Sequence, residues 1–306
     1  MADIVLHEVG MRDGLQIERQ IVPTEQKIKW IEALIDSGVD IVQVGSFVHP
    51  EKVPQMADTD RLFSYFAQPG KKARPVILSA LVLNERGLDR GMACGVEQFC
   101  MGVSASDTHS RKNTDMGTRE AIARIVPMAK RAQTAGRAVQ VSVQSAFGCG
   151  LEGEIPLGRV LDIVRAYLDA GIRTVSLADT AGHAVPDHVE ELYGAVLALD
   201  PSVECACHFH DTYGLGMANT LAALKAGVRS FEVAFAGLGG CPFTAATGGN
   251  VSTEDFLYFL RRTGRRADID LSRIIGVAAE AGRFFGRSLP GTVHRIGPIR
   301  MPTPRS

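Results

Sequence analysis

One theme recurs along this chain. A helical segment closes on a small residue and a glycine, and an apolar strand begins a few residues later. It occurs at Asp36-Ser37-Gly38 before Ile41-Val42-Gln43-Val44, and at Ala93-Cys94-Gly95 before Gln98-Phe99-Cys100. It returns at Thr134-Ala135-Gly136 before Val139-Gln140-Val141-Ser142, at Asp169-Ala170-Gly171 before Thr174-Val175-Ser176-Leu177, and at Lys225-Ala226-Gly227 before Phe231-Glu232-Val233. Glycine past a helix end accepts the left-handed conformation that other residues resist. Between these points run apolar stripes at helical spacing, such as Ile28, Ile31, Leu34 and Ile35, or Val160, Ile163, Val164, Tyr167 and Leu168; they read as core packing. Many of the strands are largely apolar runs rich in Val and Ile, as expected when both faces are buried.

Eight strands are expected, at about 3–9, 40–46, 75–82, 97–103, 138–145, 173–178, 203–209 and 230–236. Eight βα units in 306 residues predict an α/β fold of the (β/α)8 TIM-barrel type. A doubly wound open sheet is the alternative, but no Gly-x-Gly-x-x-Gly follows the first strand. Residues 254–287 read as two further helices, which makes 1–287 a single catalytic domain. The Pro/Gly/Arg-rich stretch 288–306 reads as a loosely ordered tail.

Composition narrows the class of partner. A net charge of -1 gives no electrostatic footprint for nucleic acid or an anionic membrane surface. No apolar run approaches the roughly 18 residues of a membrane span. The strand pattern begins at Ile4-Val5-Leu6, which leaves no room for a signal or transit peptide, and six cysteines are too few for a disulfide scaffold. A cytoplasmic, soluble protein is expected.

In a barrel of this kind chemistry belongs at the C-terminal ends of the strands. His208-Phe209-His210 ends the seventh strand. Side chains two apart on a strand share a face, so the two imidazoles can share a divalent cation. They can also be one core histidine and one solvated histidine. Strand one ends in Arg12-Asp13-Gly14, where Asp13 offers a hard oxygen ligand and Arg12 a fixed cation for an oxyanion; a turn Asp beside a surface Arg is the plainer reading. Asp179 at the end of strand six could orient a base or support the next helix. Gln16, Gln43 and Ser46 are candidate substrate contacts, and His49 before a proline reads as a loop residue. After strand eight comes Gly237-Leu238-Gly239-Gly240-Cys241-Pro242-Phe243, a glycine-rich loop that can move or approach a ligand closely. Cys241 within it is a candidate acid/base or nucleophile, or an inert thiol in a linker. Asn250 could add a neutral oxygen to a metal, with Glu254 one helical turn later.

Together these motifs resemble the 3-hydroxy-3-methylglutaryl-CoA lyase family of metal-dependent lyase and synthase barrels. The resemblance runs from Glu8 to about Leu257. It is carried by Val9-Gly10-Met11-Arg12-Asp13-Gly14-Leu15-Gln16, Ser46-Phe47-Val48 with Val53-Pro54-Gln55-Met56, His208-Phe209-His210-Asp211-Thr212-Tyr213-Gly214, Ala218-Asn219-Thr220-Leu221, and Gly237-Leu238-Gly239-Gly240-Cys241-Pro242. The resemblance implies Asp13, His208, His210 and Asn250 as ligands of Mg2+ or Mn2+, and Arg12, Cys241, His208, Asp179 and Glu254 as catalytic or supporting groups. It also implies a small-molecule acyl-CoA substrate, retro-Claisen cleavage to acetyl-CoA and a keto acid, and a homodimer. One position departs from the family pattern: Gln43-Val44-Gly45-Ser46-Phe47 stands where the lyases carry Glu-Thr-Thr-Ser-Phe. A second, Gly148-Cys149-Gly150-Leu151 in place of Gly-Cys-Pro-Tyr, predicts a wider or looser wall after strand five. The departures place the acyl substrate, more than the reaction type, in question. An acetyl-CoA-dependent condensing enzyme of the isopropylmalate or citramalate synthase type shares Arg-Asp-Gly and His-x-His, and a non-catalytic acyl-CoA-binding barrel is the third reading.

Overall fold

The computed structural model describes residues 4–240 and 249–299. Eight parallel strands close into a barrel in sequence order. They are β1 (Val5–Glu8), β2 (Ile41–Ser46), β3 (Ile77–Leu81), β4 (Gln98–Ser104), β5 (Ala138–Gln144), β6 (Thr174–Asp179), β7 (Glu204–Phe209) and β8 (Ser230–Val233). The first and last strands close the ring through Val5 opposite Ser230 and Glu8 opposite Val233. The helices are α1 (Thr24–Ser37), α2 (Thr59–Phe66), α3 (Glu85–Ala93), α4 (Asp107–Thr114), α5 (Thr118–Thr134), α6 (Leu157–Asp169), α7 (Pro186–Leu199), α8 (Gly216–Lys225), α9 (Thr253–Arg262), α10 (Leu271–Phe285) and α11 (Val293–Ile296).

The glycines of the recurring theme do what their position requires. Gly38, Gly136 and Gly171 follow their helices with φ of 92°, 74° and 78°. A side chain at any of them would be strained, and each turn feeds directly into the next strand. The expected β8 was longer than the observed strand. It stops at Val233 because Phe235–Gly237 form a 3-10 turn, in which Ala236 takes a left-handed φ of 59°. No helix among the described residues is long and apolar enough to cross a membrane.

Of the three helices after β8 among the described residues, α10 packs beside α1. Trp30, fully buried on α1, meets Phe235 and Phe284 edge-on at 5.7 Å each, so α1, α10 and the turn after β8 share one aromatic cluster. The stretch after Ser288 differs from the loose tail expected of it. As far as residue 299 it is anchored: Leu289 and Val293 are buried, and Asp255 accepts from the backbone N–H of Thr292 and Val293. Gly291 sits so close to Glu254, His294 and Ser252 that a Cβ there would collide with all three.

Glu8, fully buried, joins the first strand to the last. It accepts from the backbone N–H of Gly10 at 2.6 Å and of Phe235 at 3.1 Å, and from the Thr253 hydroxyl at 2.6 Å. Burial nevertheless pushes its carboxyl up from 4.5 to about 7. The folded chain therefore keeps a proton that the unfolded chain releases. The stability this group contributes is complete below about pH 4.5 and is lost as pH rises through about 7. That displacement corresponds to about 3 kcal/mol. In urea unfolding, Glu8→Gln should gain about 3 kcal/mol relative to wild type between about pH 4.5 and 7.5. A difference that does not change with pH would remove the explanation.

Candidate active site

The site begins with the turn after β1. Gly10–Gly14 form one π-helical turn in which the N–H groups of Arg12, Asp13 and Gly14 all point at the Val9 carbonyl. Such turns are rare and cluster at functional sites. Gly10 and Gly14 press against Phe235 and Leu238, where a Cβ would collide, so the turn sits flush with the loop after β8.

This turn splits the two oxygens of Asp13 between two tasks. Oδ1 accepts from Arg12 Nη1 and from Gln16 Nε2 at 3.0 Å. Oδ2 faces the end of β7, 3.8 Å from His208 Nε2 and 3.5 Å from His210 Nε2. The two histidine Nε2 atoms lie 3.1 Å apart. The expectation of a shared face is thus met, although His210 lies just past the strand, bridged to Asn250. Burial alone would raise the Asp13 carboxyl, but the neighbouring Arg12 charge and the histidines hold it well below the usual carboxylate range.

Asp13, His208 and His210, all buried, form a group able to hold a metal ion. Ligand atoms at about 2.1 Å from one six-coordinate cation stand roughly 3 Å apart when adjacent. Separations of 3.1, 3.5 and 3.8 Å suit a shared cation. Asn250 lies against the group. Its Nδ2 donates to Asp13 Oδ2 and to the Leu238 carbonyl, both at 2.8 Å, while its Oδ1 is buried without a partner among the described residues. Gly239, at φ 109°, leaves room for that amide; a Cβ would strike Asn250 Nδ2. An oxygen, two imidazoles and an unengaged amide oxygen fit a divalent cation of the hard or intermediate kind.

The group opens on a cavity of about 310 Å3 that is also lined by Arg12, Gln16, Gln43, Ser46 and Gly240. Gln43 accepts from Arg12 Nε. It holds the guanidinium through a neutral amide rather than a carboxylate. The wall after β5 closes in a hairpin: Cys149 and Gly153 exchange backbone hydrogen bonds at 2.8 and 2.7 Å, and Cys149 Sγ meets Ser106 Oγ at 3.1 Å.

Two of the expected acids stand apart from the cavity. Asp179 is fully buried, and its oxygens accept from the backbone N–H of His183 and Ala184 at 2.8 and 3.1 Å. It shapes the loop into α7, and burial raises its carboxyl despite those donors. Glu254 accepts from the Ala236 N–H at 3.0 Å and pairs with His294 Nδ1 at 2.8 Å, tying the C-terminal segment to the turn after β8. Cys241 lies outside the described residues.

Two residues of the site were not singled out from the sequence. Glu232 lines the cavity and lies 2.9 Å from His208 Nδ1. Gln140 donates to Glu232 Oε1 at 2.6 Å. Burial opposes a charge on Glu232, but the hydrogen bond to His208 and that ring's charge hold its carboxyl down at about 2. The same bond raises His208 against the effect of its own burial. A signal existed: each interrupts an apolar strand run, in Phe231-Glu232-Val233 and Val139-Gln140-Val141.

The chain is 35% identical to a hydroxymethylglutaryl-CoA lyase of Bacillus subtilis over 287 residues, 94% of this chain and 95% of the relative. It is 34% identical to an (R)-citramalyl-CoA lyase of Chloroflexus aurantiacus over 305 residues, 98% of this chain and 96% of that one. The structure of an HMG-CoA lyase from Acinetobacter baumannii in complex with coenzyme A and 3-methylmalate superposes with a TM-score of 0.90 at 33% identity, covering 99% of this chain and 98% of that one. The HMGL-like sequence profile matches residues 3–280, and on this coverage and identity the chain belongs to the HMGL-like family and is a carbon–carbon lyase.

Proposed function

We propose that this protein splits a 3-hydroxyacyl-CoA by retro-Claisen cleavage into acetyl-CoA and a keto acid. The observation that carries the reading is the meeting of Arg12 with the Asp13, His208 and His210 group at one cavity. Asp13, His208 and His210, with Asn250 as a neutral fourth, would hold Mg2+ or Mn2+. The cation would supply Lewis-acid polarisation of the substrate hydroxyl. The hydroxyl proton goes to His208 Nε2 when the cation is held by Asp13, His210 and Asn250 alone, because that atom has one lone pair and cannot serve cation and proton together. Glu232, on the far side of the ring, balances the positive charge in either case. As the C–C bond breaks, electron density moves to the thioester oxygen, where Arg12 stabilises the enolate. Cys241, on the glycine-rich loop, is the acid that protonates the enolate carbon. Asp179 and Glu254 act through the loops they hold, not on the substrate.

The acyl group follows from Gln43. The positive field of Arg12 is offset by Asp13 but not by a second carboxylate at position 43, so more of it is left for a substrate. That favours a substrate whose free carboxylate sits on the carbinol carbon, close to Arg12, as in citramalyl-CoA, over one carrying it a methylene further away, as in 3-hydroxy-3-methylglutaryl-CoA. The test supplies each thioester separately to the purified protein with Mn2+ and follows acetyl-CoA. The expected result is a kcat/KM at least about tenfold higher for citramalyl-CoA, with both activities removed by EDTA. Equal or better cleavage of 3-hydroxy-3-methylglutaryl-CoA would remove the assignment of the acyl group. Release of free CoA thiol from acetyl-CoA and a keto acid would instead identify a condensing enzyme.

A further inference from the structure

Glu232 is a buried carboxylate with no lysine or arginine partner among the described residues. Its two oxygens are taken by His208 Nδ1 at 2.9 Å and Gln140 Nε2 at 2.6 Å. The three residues come from β8, β7 and β5, and all are buried inside the barrel. His208 and Glu232 are also register partners in neighbouring strands, so the backbone sets the pairing as well as the side chains. A buried carboxylate held by an imidazole and an amide, with His7 and Ser176 close by but no lysine or arginine, is costly unless positive charge lies near. Through the His208 ring, that charge would sit on its other side, where Nε2 faces Asp13 Oδ2 and His210 Nε2.

The arrangement also makes the two histidines unequal. The carboxylate accepts, so His208 carries its ring hydrogen on Nδ1 and presents a lone pair at Nε2. His210 has no such support: its Nδ1 is buried without a partner among the described residues. One ring is oriented from behind by a charged acceptor, and the other is held by packing and by its Nε2 neighbours.

We infer that Glu232, itself held by Gln140, is the positioning residue of the cation site: it fixes the tautomer and direction of His208 and strengthens Nε2 as a ligand. This rests on the reading of Asp13, His208 and His210 as a cation site. In this role Glu232 acts through His208. A carboxylate behind a ligating histidine is worth about 10- to 100-fold in metal affinity.

The experiment titrates the full-length, metal-free protein with Mn2+, followed by electron paramagnetic resonance, for wild type, Glu232→Gln, Glu232→Leu and Gln140→Leu. Glu232→Leu should weaken Mn2+ binding by about 10- to 100-fold, and Glu232→Gln, which keeps an acceptor but loses the charge, by less. Gln140→Leu should weaken it by a few-fold. Turnover of Glu232→Gln should recover at saturating Mn2+, which a purely structural defect would not allow. Wild-type affinity in both Glu232 variants overturns the inference. A second measurement separates this failure from failure of the metal reading: 15N resonances of His208 at about pH 9 report the tautomer directly. Wild type should show the hydrogen on Nδ1, and Glu232→Leu a mixture. A wild type that binds no Mn2+ overturns the cation site, and a wild-type hydrogen on Nε2 overturns the positioning role. If Glu232→Leu does not fold, the near-isosteric Glu232→Gln carries both readouts.

Discussion

Arg12→Gln is expected to lower kcat by about 1,000-fold while leaving the fold intact. Among the described residues, Arg12 is the one permanent cation lining the cavity. Its Nε donates to Gln43 and its Nη1 to Asp13, so the guanidinium is fixed in place before substrate arrives. Nη2 takes no protein partner among the described residues, which leaves donors free for a developing oxyanion. Fixed donors of this kind, in a site from which water is excluded, contribute about 3–4 kcal/mol each to the transition state, and about 4 kcal/mol is a factor of 1,000. The stabilisation grows only as charge reaches the thioester oxygen, so the loss belongs in kcat more than in KM. Arg12→Lys keeps the charge but not the planar fork that reaches Gln43 and Asp13 together, and should fall between the two. The measurement is steady-state acetyl-CoA release at saturating Mn2+. A kcat for Arg12→Gln within tenfold of wild type would take the enolate role away from Arg12.

The barrel was legible in the sequence because its signals are local and repeated. Each glycine after a helix announces a turn by itself, and an apolar run of strand length follows it. The His208/His210 pair was legible for a similar reason, since strand alternation alone puts both rings on one face. The contacts that decide a residue's task are long-range, and there the reading diverged. Glu254 follows Asn250 by one helical turn, and the resemblance implies it as a supporting acid without saying what it supports. The chain returns with His294, 40 residues later, and takes that carboxylate for itself. Asp179 stood at a strand end like Asp13, yet the loop into α7 turns back and uses both its oxygens. Glu232 showed the opposite error. It sits in the strand run Phe231-Glu232-Val233, and only the closed barrel reveals that it stands behind His208. Residue type marks where charge is buried, but the partner that explains it is set by topology.

Asp13→Asn should abolish cation binding and turnover together, although it changes no more than one atom's chemistry. In wild type Oδ1 accepts from Arg12 and Gln16, and Oδ2 faces the two histidine Nε2 atoms and the Asn250 amide. Arg12 and Gln16 are both donors, so an asparagine here keeps its oxygen on their side. Its NH2 then takes the place of Oδ2 and points donor hydrogens at the centre of the ligand group, beside an Asn250 Nδ2 that also donates. The cation loses its anionic ligand and meets two hydrogens instead, so Mn2+ affinity should fall by at least about 100-fold, the upper end of what losing a supporting group costs. Arg12 loses its ion-pair partner as well and is held by Gln43 and a neutral carbonyl. In the proposed mechanism turnover needs both the cation and a correctly aimed guanidinium, so kcat/KM should drop by about 1,000-fold or more. Raised Mn2+ should not restore it, in contrast to Glu232→Gln, where the ligands themselves remain. Paramagnetic resonance of added Mn2+ and acetyl-CoA release from the same preparation measure the two losses side by side. Retained Mn2+ binding would mean that Asp13 is not a ligand. Lost binding with retained turnover would mean that the cation is not needed for the reaction.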